Sequence, residues 1–194
     1  ELAAAALGGQ GAKVEHHDIA RLRNALPAYL GRLLEEGRWP FGIDLERGGR
    51  PLTPAVREFL RLASGRSEHI APVVAINMVL RPVGRLPRLI RRQAEAARSL
   101  QREIEDMLGD DGGMLYPTAT GVAPRHGRGG ALHFRFPPIF NALEMPVTQV
   151  PLGLGRAGLP LGVQVVAPRG RDHRCIAVAM ALEDAVGGWI PPNP

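Results

Sequence analysis

The sequence predicts an α/β layered fold built on a mixed β-sheet. Three features carry this expectation. Residues 86–108 set Leu86, Leu89, Ile90, Ala94, Ala97, Leu100, Ile104 and Met107 on one helical stripe, with Arg and Glu on the opposite face. Residues 147–154 and 161–167 are β-like apolar runs separated by Gly155-Arg156-Ala157-Gly158, which suits a hairpin. Asp172 then opens a last amphipathic segment, so strands interleave with helices in the layered α/β manner.

The other elements follow in chain order. Residues 1–10 are alanine-rich and run into Gly8, Gly9 and Gly11, as a helix with a glycine C-terminus does, and residues 13–16 read as a short strand. Asp18 is a good N-cap for a helix whose apolar positions are Ile19, Leu22, Leu26, Leu30, Leu33 and Leu34, and Pro27 is placed to split it. Residues 37–51 form a turn-rich loop. Thr53-Pro54 opens a helix carrying Val56, Phe59, Leu60 and Ala63, and residues 70–80 are a further apolar segment. The long helix stops at Gly109, with Asp110-Asp111-Gly112-Gly113 as its closing turn. Met114-Leu115-Tyr116-Pro117 is a short strand, residues 121–130 a Gly- and Arg-rich loop, and residues 138–145 a short helix or turn. In the last helix, capped by Asp172, the inward residues are Ile176, Ala179, Met180, Leu182 and Val186.

Composition removes several classes. A chain of 194 residues and 20.9 kDa suits one domain spanning residues 1–194. Such a domain buries roughly 70% of its unfolded surface. With 45% apolar and 22% charged residues the chain is not globally disordered. The net charge is +5, but Lys13 is the only lysine among 24 basic residues, and arginine spread so evenly reads as compositional bias rather than a phosphate-binding surface. Cys175 stands alone, which excludes an internal disulfide or a cysteine-based zinc site and makes a reducing, cytoplasmic compartment the expectation. The longest apolar run, residues 72–80 with Asn77 inside it, falls far short of the roughly 20 residues of a membrane span. The chain opens Glu1-Leu2-Ala3 without an initiator Met and reads as a piece of a longer protein.

Few residues present reactive chemistry. The three serines, Ser64, Ser67 and Ser99, lie in no Gly-x-Ser-x-Gly elbow and in no Ser-x-x-Lys pair; Ser64 and Ser67 suit capping, and Ser99 falls inside the long helix. His16 and His17 are adjacent and point to opposite faces of an extended segment, and there is no His-Glu-x-x-His spacing, so no metal is expected. Gly153-x-Gly155 reads as hairpin punctuation, not a dinucleotide loop. Gln164 alternates with Val163 and Val165 and should face a polar seam or solvent. Arg85, Arg88, Arg91, Arg92, Arg98 and Arg102 crowd one helix, but Glu95, Glu103, Glu105 and Asp106 share it, and the favoured reading is a solvated face without nucleic-acid binding. A non-catalytic, arginine-rich module on an anionic surface is the alternative.

A longer pattern ties these pieces together. Residues 106–112 (Asp-Met-Leu-Gly-Asp-Asp-Gly), Leu115-Tyr116-Pro117-Thr118, Val122-Ala123-Pro124-Arg125-His126, Phe140-Asn141-Ala142-Leu143, residues 145–154 (Met-Pro-Val-Thr-Gln-Val-Pro-Leu-Gly-Leu), residues 158–167 (Gly-Leu-Pro-Leu-Gly-Val-Gln-Val-Val-Ala), Asp172-His173 and Gly187-Gly188-Trp189 occur in order. In order and spacing they resemble the C-terminal portion of amidase signature hydrolases, with the nearest likeness to the fatty-acid amide hydrolase 2 branch. The resemblance implies a three-layer α/β/α sandwich with a mixed sheet, the C-terminal half of the amidase signature fold. Residues 1–105 would be a variable helical substrate-channel region and residues 106–194 the family core. It further implies hydrolysis of carboxylic amides by a serine nucleophile, a bridging serine and a lysine base, with no metal or organic cofactor. None of those catalytic groups has a matching position here, and nothing around Lys13 matches the catalytic-lysine motif. The implied partners are the N-terminal half of the same enzyme and a small-molecule amide, with peripheral membrane contact and self-association alongside.

The resemblance also brings the segment around Phe140-Asn141 to the active-site cleft. Phe134, Phe136, Pro137, Phe140 and Asn141 become the candidates for an acyl channel, with packing between sheet and helix as the competing role. Trp39, Phe41, Ile76, Met78 and Val79 would line its distal end or cap it, with core packing again the alternative, here the favoured one.

Overall fold

The computed structural model describes residues 1–36, 55–67, 69, 71–125 and 136–189. Its elements run α1 (Leu2–Gly9), a short 3-10 helix (Ala20–Asn24), α2 (Leu26–Glu35), α3 (Ala55–Ala63), α4 (Ala71–Val83), α5 (Pro87–Leu108), β1 (Met114–Pro117), α6 (Pro137–Ala142), β2 (Val147–Leu154), β3 (Pro160–Val166) and α7 (Asp172–Val186). The chain divides into two compact units: Glu1–Tyr29 with Ala97–Pro194, and Leu30–Ala96. Among the described residues no helix is long and apolar enough to cross a membrane.

The first unit is a sheet clad on both faces. Its strands lie in the order β1-β3-β2, and both pairings are antiparallel, so the described part of the sheet lacks the parallel pairing a mixed sheet requires. Strand alternation sorts side chains to opposite faces. Leu115, Val150, Leu152, Val163 and Val165 point to one face and pack with Ala3, Cys175, Ala179 and Leu182 of α1 and α7. Met114, Tyr116 and Val166 point to the other and pack with Leu22, Ala97, Leu100, Ile104, Ile139, Phe140 and Leu143. Helix-sheet-helix layering follows from those two clusters, as expected for the α/β/α class. The β2–β3 hairpin closes through Gly155 and Gly158, whose backbones bond to Leu159 and to each other, and Gly153 sits with φ 85° where the register shifts near Leu154.

Several local expectations are met by identifiable bonds. The N–H groups of Gly11 and Ala12 return to the carbonyls of Gly8 and Leu7, closing α1 in a Schellman motif with Gly11 at φ 94°. Pro27 does split its segment, and it stands in the first turn of α2, where a missing N–H costs nothing. Gly109, at φ 58°, ends α5.

Others are corrected. Residues 13–16 have no ladder partner; Lys13, Glu15 and His17 instead bond along one side of an exposed extended stretch. The apolar segment 70–80 is mostly the helix α4, whose Pro82 lies in its last turn. Leu86, just before α5, and Leu89 within it leave the expected stripe and are 51% and 40% exposed. Asp172 is the first helical residue of α7, with Arg171 at the cap, and makes no side-chain cap bond. It still favours the positive end of the helix dipole. Ala179, Leu182 and Val186 face inward as expected, but Ile176 and Met180 face out at 52% and 60%, and Cys175 takes the inward place beside them. The thiol supplies the reason: Cys175 packs as a small apolar residue and points at Val165 O, 3.0 Å away.

The second unit is helical, with α3 packed on α4. Gly31 of α2 lies against Gln93 and Ala94 so closely that a Cβ there would collide with the Gln93 Cβ. Helix α3 is turned against its charge pattern: Glu58 is only 2% exposed, while Val56, Phe59 and Leu60 are 64%, 47% and 63% exposed. Ser67 Oγ donates to the Glu58 carboxylate at 2.6 Å, and Arg61 approaches it at 3.7 Å, so the buried charge is bonded.

Candidate substrate-channel wall

Helix α6 places the channel candidates. Pro137 starts it, the first-turn position that proline favours, and Phe136 precedes it. The helix ends after one and a half turns because Glu144 takes a left-handed φ of 55°, and the N–H groups of Glu144 and Met145 bond back to Asn141 O and Phe140 O. A non-glycine in that region costs about 1 kcal/mol. Arg169 holds the Glu144 carboxylate at 3.0 Å.

An aromatic trio results. Tyr116 of β1 meets Phe136 edge-on at 5.5 Å between ring centroids and Phe140 at 5.1 Å. Phe140 is fully buried in the core, whereas Phe136 and Tyr116 are half-buried. Asn141, next along α6, is exposed. Of the sequence-nominated residues, Phe136 and Phe140 are therefore brought together through Tyr116. Phe134, Trp39 and Phe41 lie outside the described residues, as do the side chains of Pro137, Ile76 and Val79. Met78 belongs to the helical unit, where it is 38% exposed.

Beside the trio runs a polar row that sequence reasoning caught only in part. Tyr116, Gln164 and Gln149 are lateral neighbours on β1, β3 and β2. Gln164 is 5% exposed and donates its Nε2 to Pro117 O at 3.0 Å, the polar-seam form of the expectation for it. Gln149 is exposed and accepts the Thr118 hydroxyl on Oε1 at 2.5 Å. Period-two alternation on all three strands was the signal that could have grouped them.

Among the described residues no serine is paired with a side-chain base other than the Glu58 carboxylate that Ser67 meets. Ser64 Oγ donates to Arg61 O at the end of α3, Ser67 to Glu58, and Ser99 receives Arg21 at 3.3 Å. His69 reaches Ser67 only through its backbone. A lysine base must be neutral to accept a proton. The hydrogen bond and charge of Glu15 instead hold Lys13 above its ordinary value, and Lys13 lowers Glu15 in return. Among the described residues no group of three or more His, Cys, Asp or Glu side chains could hold a metal ion.

Against this geometry the comparisons with known proteins can be placed. No protein-family model matches the chain. Fatty-acid amide hydrolase 2-B of Danio rerio is 41% identical over 153 residues, which is 78% of this chain and 28% of the relative. Fatty-acid amide hydrolase 2 of Homo sapiens is 33% identical over 190 residues, 94% of this chain and 36% of the relative. The chain thus spans about a third of the length of these curated relatives. Among solved structures, 6-aminohexanoate cyclic dimer hydrolase matches with a TM-score of 0.58 at 24% identity, over 95% of this chain and 40% of that one, a likeness of fold. Sequence and fold agree, and the chain belongs to the amidase signature family.

Proposed function

We propose that this chain is the C-terminal portion of an amide-hydrolysing enzyme, and that it supplies one wall of the acyl channel while the nucleophile, bridging serine and lysine base lie outside it. The observation that carries this is the 33% identity running through 94% of the chain to a fatty-acid amide hydrolase 2. In the chemistry implied, a neutral lysine draws the serine proton through the bridging serine, and backbone N–H groups meet the oxyanion of the tetrahedral intermediate. The aromatic trio offers an apolar acyl chain the exposed parts of Phe136 and Tyr116, while fully buried Phe140 holds them from behind. The rest of the enzyme is the first partner. A lipid surface is a second, because Val56, Phe59 and Leu60 stand exposed on α3 with Arg57 and Arg66 near them, the make-up of an interfacial helix.

The test is hydrolysis of a medium-chain fatty amide, paired with labelling by a serine-directed fluorophosphonate. The 194-residue chain alone should give neither turnover nor a labelled serine, and both should appear once the remainder of the enzyme is restored. A labelled Ser64, Ser67 or Ser99 in the chain alone would overturn the reading.

A further inference from the structure

The geometry points to Gln149 as a specificity-determining hydrogen-bond donor: its side-chain amide is clamped so that the Nε2 hydrogens are offered to a carbonyl oxygen of an acyl ligand lying against Phe136 and Tyr116. This rests on the channel-wall reading above.

Three observations make the clamp. Thr118 Oγ1 donates to Gln149 Oε1, which fixes which end of the amide faces the threonine and turns Nε2 the other way. Beneath Nε2 lies Gly162, and a Cβ on that residue would collide with the nitrogen, so the amide occupies the volume any other side chain would take. Glycine inside a strand weakens it relative to alanine, a cost set against the room it leaves for the amide. Finally, buried Gln164 bonds Pro117 O and so holds the chain immediately before Thr118. Gln164 positions Thr118, and Thr118 positions Gln149.

Placement gives the donor its role. Gln149, Gln164 and Tyr116 sit on one lateral row of the sheet, so Gln149 stands roughly 10 Å from Tyr116, two strand spacings away. On that face the helical layer covers Met114, Val166 and the inner side of Tyr116, while Val147 is 38% exposed and Gln149 exposed. Apolar contact at one end and an oriented N–H donor at the other suit a chain of several carbons that ends in a carbonyl. A neutral amide donor would favour a carbonyl over an equally long chain that lacks one.

The experiment uses the 194-residue chain and needs no catalysis. With isotope-labelled protein, hexanamide and 1-chlorohexane are titrated in turn, and the side-chain NH2 signals of Gln149 and the ring signals of Phe136 and Tyr116 are followed by NMR. We expect both probes to move the rings and hexanamide alone to move the Gln149 amide. Gln149→Leu and Thr118→Val should each weaken hexanamide binding several-fold and leave 1-chlorohexane binding unchanged. Hexanamide moving the rings but not the Gln149 amide, or binding Gln149→Leu as well as the parent chain, overturns the inference and leaves the channel wall standing. Rings that move with neither probe overturn the inference and the wall together, while restored hydrolysis would still support the amidase reading.

Discussion

Replacing Phe140 by alanine separates the two roles that the sequence assigns to the aromatic segment. The ring is 0% exposed and packs among Leu100, Ile104, Ile139 and Leu143, with Tyr116 edge-on at 5.1 Å. A phenylalanine-to-alanine change in such a core costs about 3–5 kcal/mol, including the cavity left behind. The lost ring pair accounts for about 0.5–1.5 kcal/mol of an aromatic contact's worth. Against a total stability of about 5–15 kcal/mol, that is about a fifth or more. Phe136 is half-buried and touches the same tyrosine, so its alanine variant should lose about 1.5 kcal/mol, roughly half the transfer free energy of a phenylalanine and part of the ring contact. Phe140→Leu, which keeps most of the volume, should lose about 1.5 kcal/mol or less. Urea unfolding of the three variants, followed by far-UV circular dichroism, gives these differences directly. A Phe140→Ala chain within about 1 kcal/mol of the parent would refute the assignment of this ring to the core. It would also return Phe140 to the channel.

Three further outcomes follow from other contacts. Gly31→Ala should destabilise the helical unit by about 1–3 kcal/mol, since its Cβ would also stand 2.8 Å from the Ala94 backbone nitrogen; a thermal melt matching the parent would contradict the close approach. Arg171 and Arg174 pair with Asp110 and Asp111 across exposed surface, so a double-mutant cycle on either pair should return under about 1 kcal/mol and shrink with added salt. The Lys13–Glu15 pair gives a pH signature with a defined sign. Glu15 is lowered, so its contribution is present above its ordinary value and fades as pH falls through the lowered one. Lys13 is raised, so its contribution is present below its ordinary value and fades as pH rises through the raised one. Lys13→Ala should therefore differ from the parent only between those limits, and a difference surviving in strong acid would refute the pairing.

How much of this was legible in the sequence depends on which signal each residue carried. The hairpin, β1, α5 and α6 could be placed because glycine, proline and a regular apolar period mark them locally. In α7 the inward Ala179, Leu182 and Val186 could be placed as well, but Ile176 and Met180 could not be told from Cys175, because all three are apolar and only the packing of α1 and the sheet decides which face is inward. Leu86 and Leu89 fail for a similar reason: periodicity marks a face, but the core need not extend the whole length of a helix. The channel candidates were nominated by family likeness, and the division of Phe136 and Phe140 into a half-buried and a fully buried ring was not foreseen, since aromatics near one another in a sequence carry no depth. The inverted helix α3 was the hardest to foresee, with a glutamate inside and three large apolar residues outside.

That inversion bears on stability as well as function. A buried carboxylate is tolerated only when its oxygens are bonded, and Ser67 and Arg61 provide those bonds. Ser67→Ala would leave Glu58 short of its nearest donor, a loss of about 1–3 kcal/mol by the cost of an unsatisfied buried acceptor. Glu58→Gln keeps the shape, removes the charge, and can still accept the serine hydroxyl. If the bond rather than the charge holds α3 in its inverted setting, Glu58→Gln melts near the parent and Ser67→Ala well below it. The opposite order would mean that the Arg61 charge orients the helix, and the exposure of Val56, Phe59 and Leu60 would then be set by an ion pair that salt can loosen.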